Sequence, residues 1–121
     1  MWDGFDKRRF QRMNLQCEIN IKSSDSGRPM SAVTENVGLG GVCVILDEPI
    51  DRFERCHVRF ELDKNLPKIE SYGRVVWAVP LRTPKAKKNR YDIGIEFMDM
   101  DPAVQNILRD YLVKNAEGFA D

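Results

Sequence analysis

Read as alternating apolar and polar positions, the chain breaks into short runs of period two followed by one run of helical period. Leu15, Cys17, Ile19 and Ile21 alternate with Gln16, Glu18 and Asn20, the pattern of a strand with one wet face. Ser23 to Pro29, SSDSGRP, is rich in turn formers and predicts a hairpin loop, after which Met30 to Glu35 returns as a second strand. Asn36 to Gly41, NVGLGG, interrupts the pattern with three glycines, which requires positive φ or a close approach of backbones. Val42 to Leu46 is apolar throughout and reads as a central, well-covered strand.

Asp47 to Arg55 carries a proline and four acids and suits a connection. Cys56, Val58, Phe60 and Leu62 then alternate with His57, Arg59 and Glu61, giving a fourth strand that ends in a turn over Asp63 to Lys68. Ile69 to Val79 is a longer strand, in which Gly73 predicts a bulge or bend. Pro80 to Asn89 is a cationic loop, and Tyr91, Ile93, Ile95 and Phe97 mark the last strand. Asp101 and Pro102 form a helix start, an acceptor at the cap followed by a residue whose missing N–H costs nothing there. Val104, Ile107, Leu108, Tyr111 and Leu112 make one apolar stripe along that helix, and Gly118 is its stop signal.

Six strands in succession, with no helix between them, favour an antiparallel sheet that closes on itself, and a terminal helix then covers an open end. The predicted class is all-β: a small six-stranded antiparallel (split) β-barrel with a C-terminal α-helix. Residues 1–14 read as an N-terminal arm and residues 15–121 as a single barrel domain.

Composition narrows the function. With 19 lysines and arginines against 19 acids in 121 residues, no global field steers the protein onto nucleic acid or an acidic membrane. Cationic character is local, at Lys7 to Arg12 and at Arg82, Lys85, Lys87, Lys88 and Arg90. No apolar run is long enough to span a bilayer and Met1 to Asp6, MWDGFD, has no hydrophobic signal region, so a cytoplasmic protein without membrane insertion is expected. Cys17, Cys43 and Cys56 lack paired metal-ligand spacing and fall in strand-like runs, which predicts buried free thiols and no metal. His57 lies on a polar face with no second histidine in the chain, so it is read as a surface residue. No carboxylate pair or nucleophile with a base points to an enzyme, and no cofactor is expected.

The remaining chemistry is the run Lys7 to Arg12, KRRFQR, with four cations in six positions just before the first strand. A guanidinium is planar, always charged and donates in a fork, which suits phosphates and guanine edges. These residues read as a ligand arm.

Arg8 and Arg12 as an RxxxR pair, the glycine-rich turn Asn36 to Gly41 and Gly94-Ile95-Glu96-Phe97 in the last strand together resemble a PilZ domain, over about Lys7 to Leu112. The resemblance implies a six-stranded barrel that binds the bacterial second messenger cyclic di-GMP, with an unknown protein partner reading the bound state. It makes Arg8 and Arg12 the motif arginines, with Arg9 an extra cation between them. Asn36 takes the first position of the family's (D/N)xSxxG turn and Gly41 its last. Gly38 stands where that pattern has serine. One hydrogen bond to a charged group is worth about 1.5–3 kcal/mol, so its loss weakens binding on the order of tenfold to a hundredfold. Against that, a glycine N–H open to a phosphate would compensate, as in anion-binding nests. The chain has no room for an attached output domain, so a stand-alone adaptor is expected.

Two other readings stay open. Gly38 favours a PilZ-like protein-interaction module that has lost its nucleotide. A small barrel also fits an OB-like binder of single-stranded nucleic acid, but Phe60, Tyr91 and Phe97 fall in the core phase and only Trp77 remains for stacking, so no nucleic acid polymer is expected as a partner.

Overall fold

The computed structural model describes residues 13–24, 27–81 and 89–117. Six strands form in chain order: β1 (Glu18–Ser23), β2 (Pro29–Val37), β3 (Gly41–Leu46), β4 (Arg55–Phe60), β5 (Ile69–Leu81) and β6 (Arg90–Met98). They close into an antiparallel barrel in the order β1-β2-β3-β6-β5-β4, and helix α1 (Pro102–Glu117) follows. The barrel and terminal helix are those the periodicity predicts. Pairing of Ile19 with Phe60 through Ser23 with Cys56 joins β1 to β4 and closes the ring.

The alternating apolar residues fill the interior. Ile19, Ile21, Val42, Val44, Val58, Phe60, Ile69, Val75, Ile93 and Ile95 are all buried in one cluster, with Leu108 and Leu112 of α1 added to it. Phe97 stacks on Phe60 with ring centroids 5.9 Å apart. At the helix start Asp101 Oδ1 accepts the Ala103 N–H at 2.8 Å, which satisfies one of the orphan donors of the first turn. Among the described residues no helix is long and apolar enough to cross a membrane.

Several boundaries differ from those read in the sequence, each for a local reason. The first strand begins at Glu18 and not at Leu15, because a side chain replaces the ladder there. Thr34 Oγ1 donates to the Leu15 carbonyl and accepts the Cys17 N–H at 2.8 Å, while the Thr34 N–H donates to the Cys17 carbonyl. The fourth strand ends at Phe60, although Leu62 stays buried beyond it. The second strand runs on to Val37, so Asn36 belongs to the sheet and the turn shrinks to Gly38–Gly40. Left-handed φ is not what the turn glycines supply, since Gly27 is the one described glycine with positive φ, at 66°. Gly41 is needed for close approach: a Cβ there would run into the Ile95 carbonyl oxygen across the β3–β6 pair.

The bulge in β5 is at Val76, between Val75 and Trp77, and not at Gly73, which keeps regular partners in Cys56 and Phe97. Val75 changes partner instead. Its N–H and carbonyl are taken by the Glu54 carbonyl at 2.9 Å and the Phe53 N–H at 2.7 Å, from the connection that follows β3. Phe53 reaches this position with a φ of 74°, the left-handed region that non-glycine residues seldom adopt.

Candidate functional site

A strand with unbroken alternation would turn Asn36 and Trp77 toward the core, in phase with Thr34 and Val75. Each is carried outward by a bulge. β2 shifts register between Thr34 and Asn36, so Thr34 and Val37 are both buried while Glu35 and Asn36 face out together. β5 shifts between Val75 and Trp77 with the same result for Val76 and Trp77. The two rephased residues end in one cross-strand row: Asn36 pairs with Cys43, Cys43 with Gly94, and Gly94 with Trp77. The Trp77 indole lies directly over Gly94, where any Cβ would strike the ring, and 36% of the residue stays exposed. The row therefore presents an amide at one end and an aromatic surface on a glycine floor at the other.

Around Cys43 in this row lies a polar group on the outer face. The Cys43 thiol donates to Asp92 Oδ1 at 3.0 Å and lies 3.7 Å from Glu35 Oε1. Glu35, Cys43 and Asp92 are the one group among the described residues close enough to share a cation, with ligand atoms within 4.8 Å of one another, and the thiol's hydrogen bonds hold it together as it stands. Cys43 is thus a buried free thiol, as predicted, but it belongs to the outer face and not to the core. Cys17 and Cys56 do belong to the core, and burial raises both thiols, Cys56 to about 11, with the Glu54 charge adding to the effect there. At neutral pH both are protonated and poor nucleophiles.

Met13 joins the site to the N-terminal segment. Its N–H donates to the Val37 carbonyl and its carbonyl accepts the Val37 N–H, each at 2.9 Å, an isolated bridge placed between Asn36 and Gly38. The predicted arm arginines, Arg8, Arg9 and Arg12, lie outside the described residues, as do Arg82, Lys85, Lys87 and Lys88 of the cationic loop and the helix stop at Gly118. Of the predicted turn residues, Asn36, Gly38 and Gly41 are brought together beside Met13. Gly38 does not offer an open N–H to an anion, because that N–H donates to the Gly41 carbonyl at 2.9 Å. His57 is half-buried on the outer face, edge-on to Tyr72 and 3.8 Å from Glu70 Oε1.

Trp77 was legible in the sequence only as a spare aromatic, since its place in the row depends on two bulges that leave no composition cue. Asp92 and Glu35 had no signal beyond alternation. The geometry has a stacking surface, an amide and carboxylates on one face, with Met13 paired at its edge. Such a face can bind and orient a planar, polar ligand.

The PilZ domain family pattern matches residues 6–114. No curated protein matches the sequence. Among solved structures, MotI (DgrA), the inhibitor of motility of Bacillus subtilis, superposes with a TM-score of 0.73 at 17% identity over 91% of this chain, which spans 51% of the MotI chain. The PilZ domain of YcgR from Escherichia coli, solved with c-di-GMP, gives 0.69 at 15% identity over 95% of this chain and 98% of its own. MrkH of K. pneumonia in its apo state gives 0.67 at 13% identity over 89% of this chain and 52% of its own. At these identities the likeness is one of fold.

Proposed function

The chain belongs to the PilZ domain family, and from that premise we propose that it is a receptor for cyclic di-GMP, with Arg8, Arg9 and Arg12 closing over a ligand held against Asn36, the Gly38–Gly41 turn and Trp77. The observation that carries this reading is the Met13–Val37 bridge, which fixes the entry of the arginine segment between Asn36 and Gly38. Cyclic di-GMP has two phosphates and two guanines. Arginine forks fit both the phosphates and the O6/N7 edge of guanine, and the exposed indole of Trp77 offers a surface for one base.

In this mechanism binding is a signal and no bond is made or broken. Arginines neutralised by phosphate become part of a fixed surface over the Asn36–Trp77 row, and a protein partner reads that surface as an adaptor's bound state. A specific observation favours the second reading, an interaction module without nucleotide: position 38 offers neither the family's hydroxyl nor an open N–H.

Calorimetric titration with cyclic di-GMP decides between them, with cyclic di-AMP and GTP as controls. The receptor reading expects selective saturable binding that Arg12→Ala and Arg8→Ala abolish without unfolding the domain, and that Gly38→Ser tightens. Absence of heat in the folded wild type would overturn the receptor reading and leave the interaction module.

A further inference from the structure

One row further along the outer surface, the charges are arranged in a way the fold itself does not require. Arg55 and Arg74 are direct partners in the β4–β5 register, and both lie in the outward phase, Arg55 exposed and Arg74 half-buried. Like charges directly opposite each other destabilise a strand pair. Neither guanidinium is relieved by an ion pair among the described residues, where the pairs formed are Arg28 with Glu48 and His57 with Glu70. Glu96, the partner of Arg74 on β6, is the obvious counter-charge and forms no ion pair with it. Arg74 Nε is buried and has no hydrogen-bond partner, a state that native proteins rarely keep without a ligand or water to relieve it.

The same row leads back to the candidate site. Arg55 pairs with Arg74, Arg74 with Glu96, and Glu96 with Gly41, the last residue of the turn motif. Neighbouring strands lie about 4.8 Å apart, so the Arg74 backbone is about 10 Å from that of Gly41. An arginine side chain covers much of this gap. A cyclic dinucleotide carries its two phosphates on opposite sides of the macrocycle, so a single arm at Met13 reaches one more readily than the other.

We propose that Arg55 and Arg74 form a phosphate seat, and that its occupant is the phosphate of the cyclic dinucleotide facing away from the N-terminal arginines. The inference rests on the receptor reading above. A phosphate between the two guanidinium groups turns a repulsive contact into two attractive ones and, once the Arg74 side chain turns its Nε–Nη edge outward to fork onto two phosphate oxygens, supplies the acceptor that its buried Nε lacks.

The test is calorimetric titration of the full chain with cyclic di-GMP at salt concentrations from about 50 to about 200 mM, for wild type, Arg74→Gln, Arg55→Gln and Arg74→Lys. Arg74→Gln is expected to bind about tenfold more weakly, the size of one charge-assisted hydrogen bond, and to show a shallower dependence of affinity on salt. Arg74→Lys is expected to keep the salt dependence while losing affinity, because it retains the charge without the fork. The thermal midpoint of Arg74→Gln should not fall, since the substitution removes a like-charge contact, and this separates a lost ligand contact from a damaged barrel. Wild-type affinity and salt dependence in Arg74→Gln would overturn the seat and leave the receptor reading intact. A loss of affinity with unchanged salt dependence would also overturn it. Absence of binding in the wild type would overturn the receptor reading and the seat's occupant together.

Discussion

Along β1 and β4 the register runs unbroken from Ile19 opposite Phe60 to Ser23 opposite Cys56, whereas β2 and β5 each lose one step, at Glu35 and at Val76. On the regular side, alternation settles every side chain: Ile19, Ile21, Cys56 and Val58 point in, and Asn20, Lys22, His57 and Arg59 point out. On the bulged side it fails at two places, and those places supply Asn36 and Trp77 to one row. A bulge costs ladder hydrogen bonds and packing regularity. That both bulges rephase polar or aromatic groups onto the same surface is the difference between a wall that only closes the barrel and one shaped to hold something.

The comparison can be broken most forcefully at Gly41. Gly41→Ala puts a Cβ against the Ile95 carbonyl and must push β3 from β6, so urea denaturation should show a loss of about 3 kcal/mol together with loss of ligand binding. Stability near wild type would mean that the two strands are less closely coupled than their approach implies.

A smaller effect is expected from the regular side, and from its core and not its surface. The Cys56 thiol, raised from 9.0 to about 11 by burial and then by Glu54, stays protonated in the folded protein over a range where the unfolded chain ionises. Its contribution is fully present below pH 9, and rising pH removes it progressively between about 9 and about 11, by on the order of 2 kcal/mol. The stability gap between wild type and Cys56→Ala should therefore narrow across that interval in denaturant titrations. A gap that stays constant would show that the thiol is less isolated from solvent than its burial indicates.

The smallest effect should come from the outer surface of the regular side. Lys22→Ala and Arg59→Ala remove exposed charges that engage in no ion pair among the described residues, so stability should change by no more than about 0.5 kcal/mol and affinity for cyclic di-GMP should not change. A loss of affinity in either would extend the site onto the regular wall.

This difference also explains what could be read from the residues alone. The barrel and the helix were legible because Ile19 and Ile21, Val58 and Phe60, and Ile93 and Ile95 each keep strict period two, and because Asp101-Pro102 has the chemistry of a helix start. The site was legible only as a motif. The sequence reads Asn36 as part of a turn because the glycines after it hide the continuation of β2, which is carried by pairing of Asn36 with Cys43 and of Val37 with Val42 past a bulge. Glycine is the local cue for a bulge and points to Gly73, while the shift lies at Val76, next to a Val75 whose backbone groups are taken by Phe53 and Glu54. Cys43 sits in an apolar run that carries no phase, so only the barrel could reveal that it faces Asp92.

The two hydrogen bonds between Met13 and Val37 have a kinetic meaning as well as a structural one. Arg12 is the residue next to Met13 in the chain, so in a receptor of the kind proposed its guanidinium would act as a group tethered one residue from that bridge. Tethers this short give effective concentrations of millimolar or more, whatever the concentration of the protein. In such a receptor the arm then closes without a second copy of the protein, and half-occupancy is reached at the same free ligand concentration whether the protein is scarce or abundant.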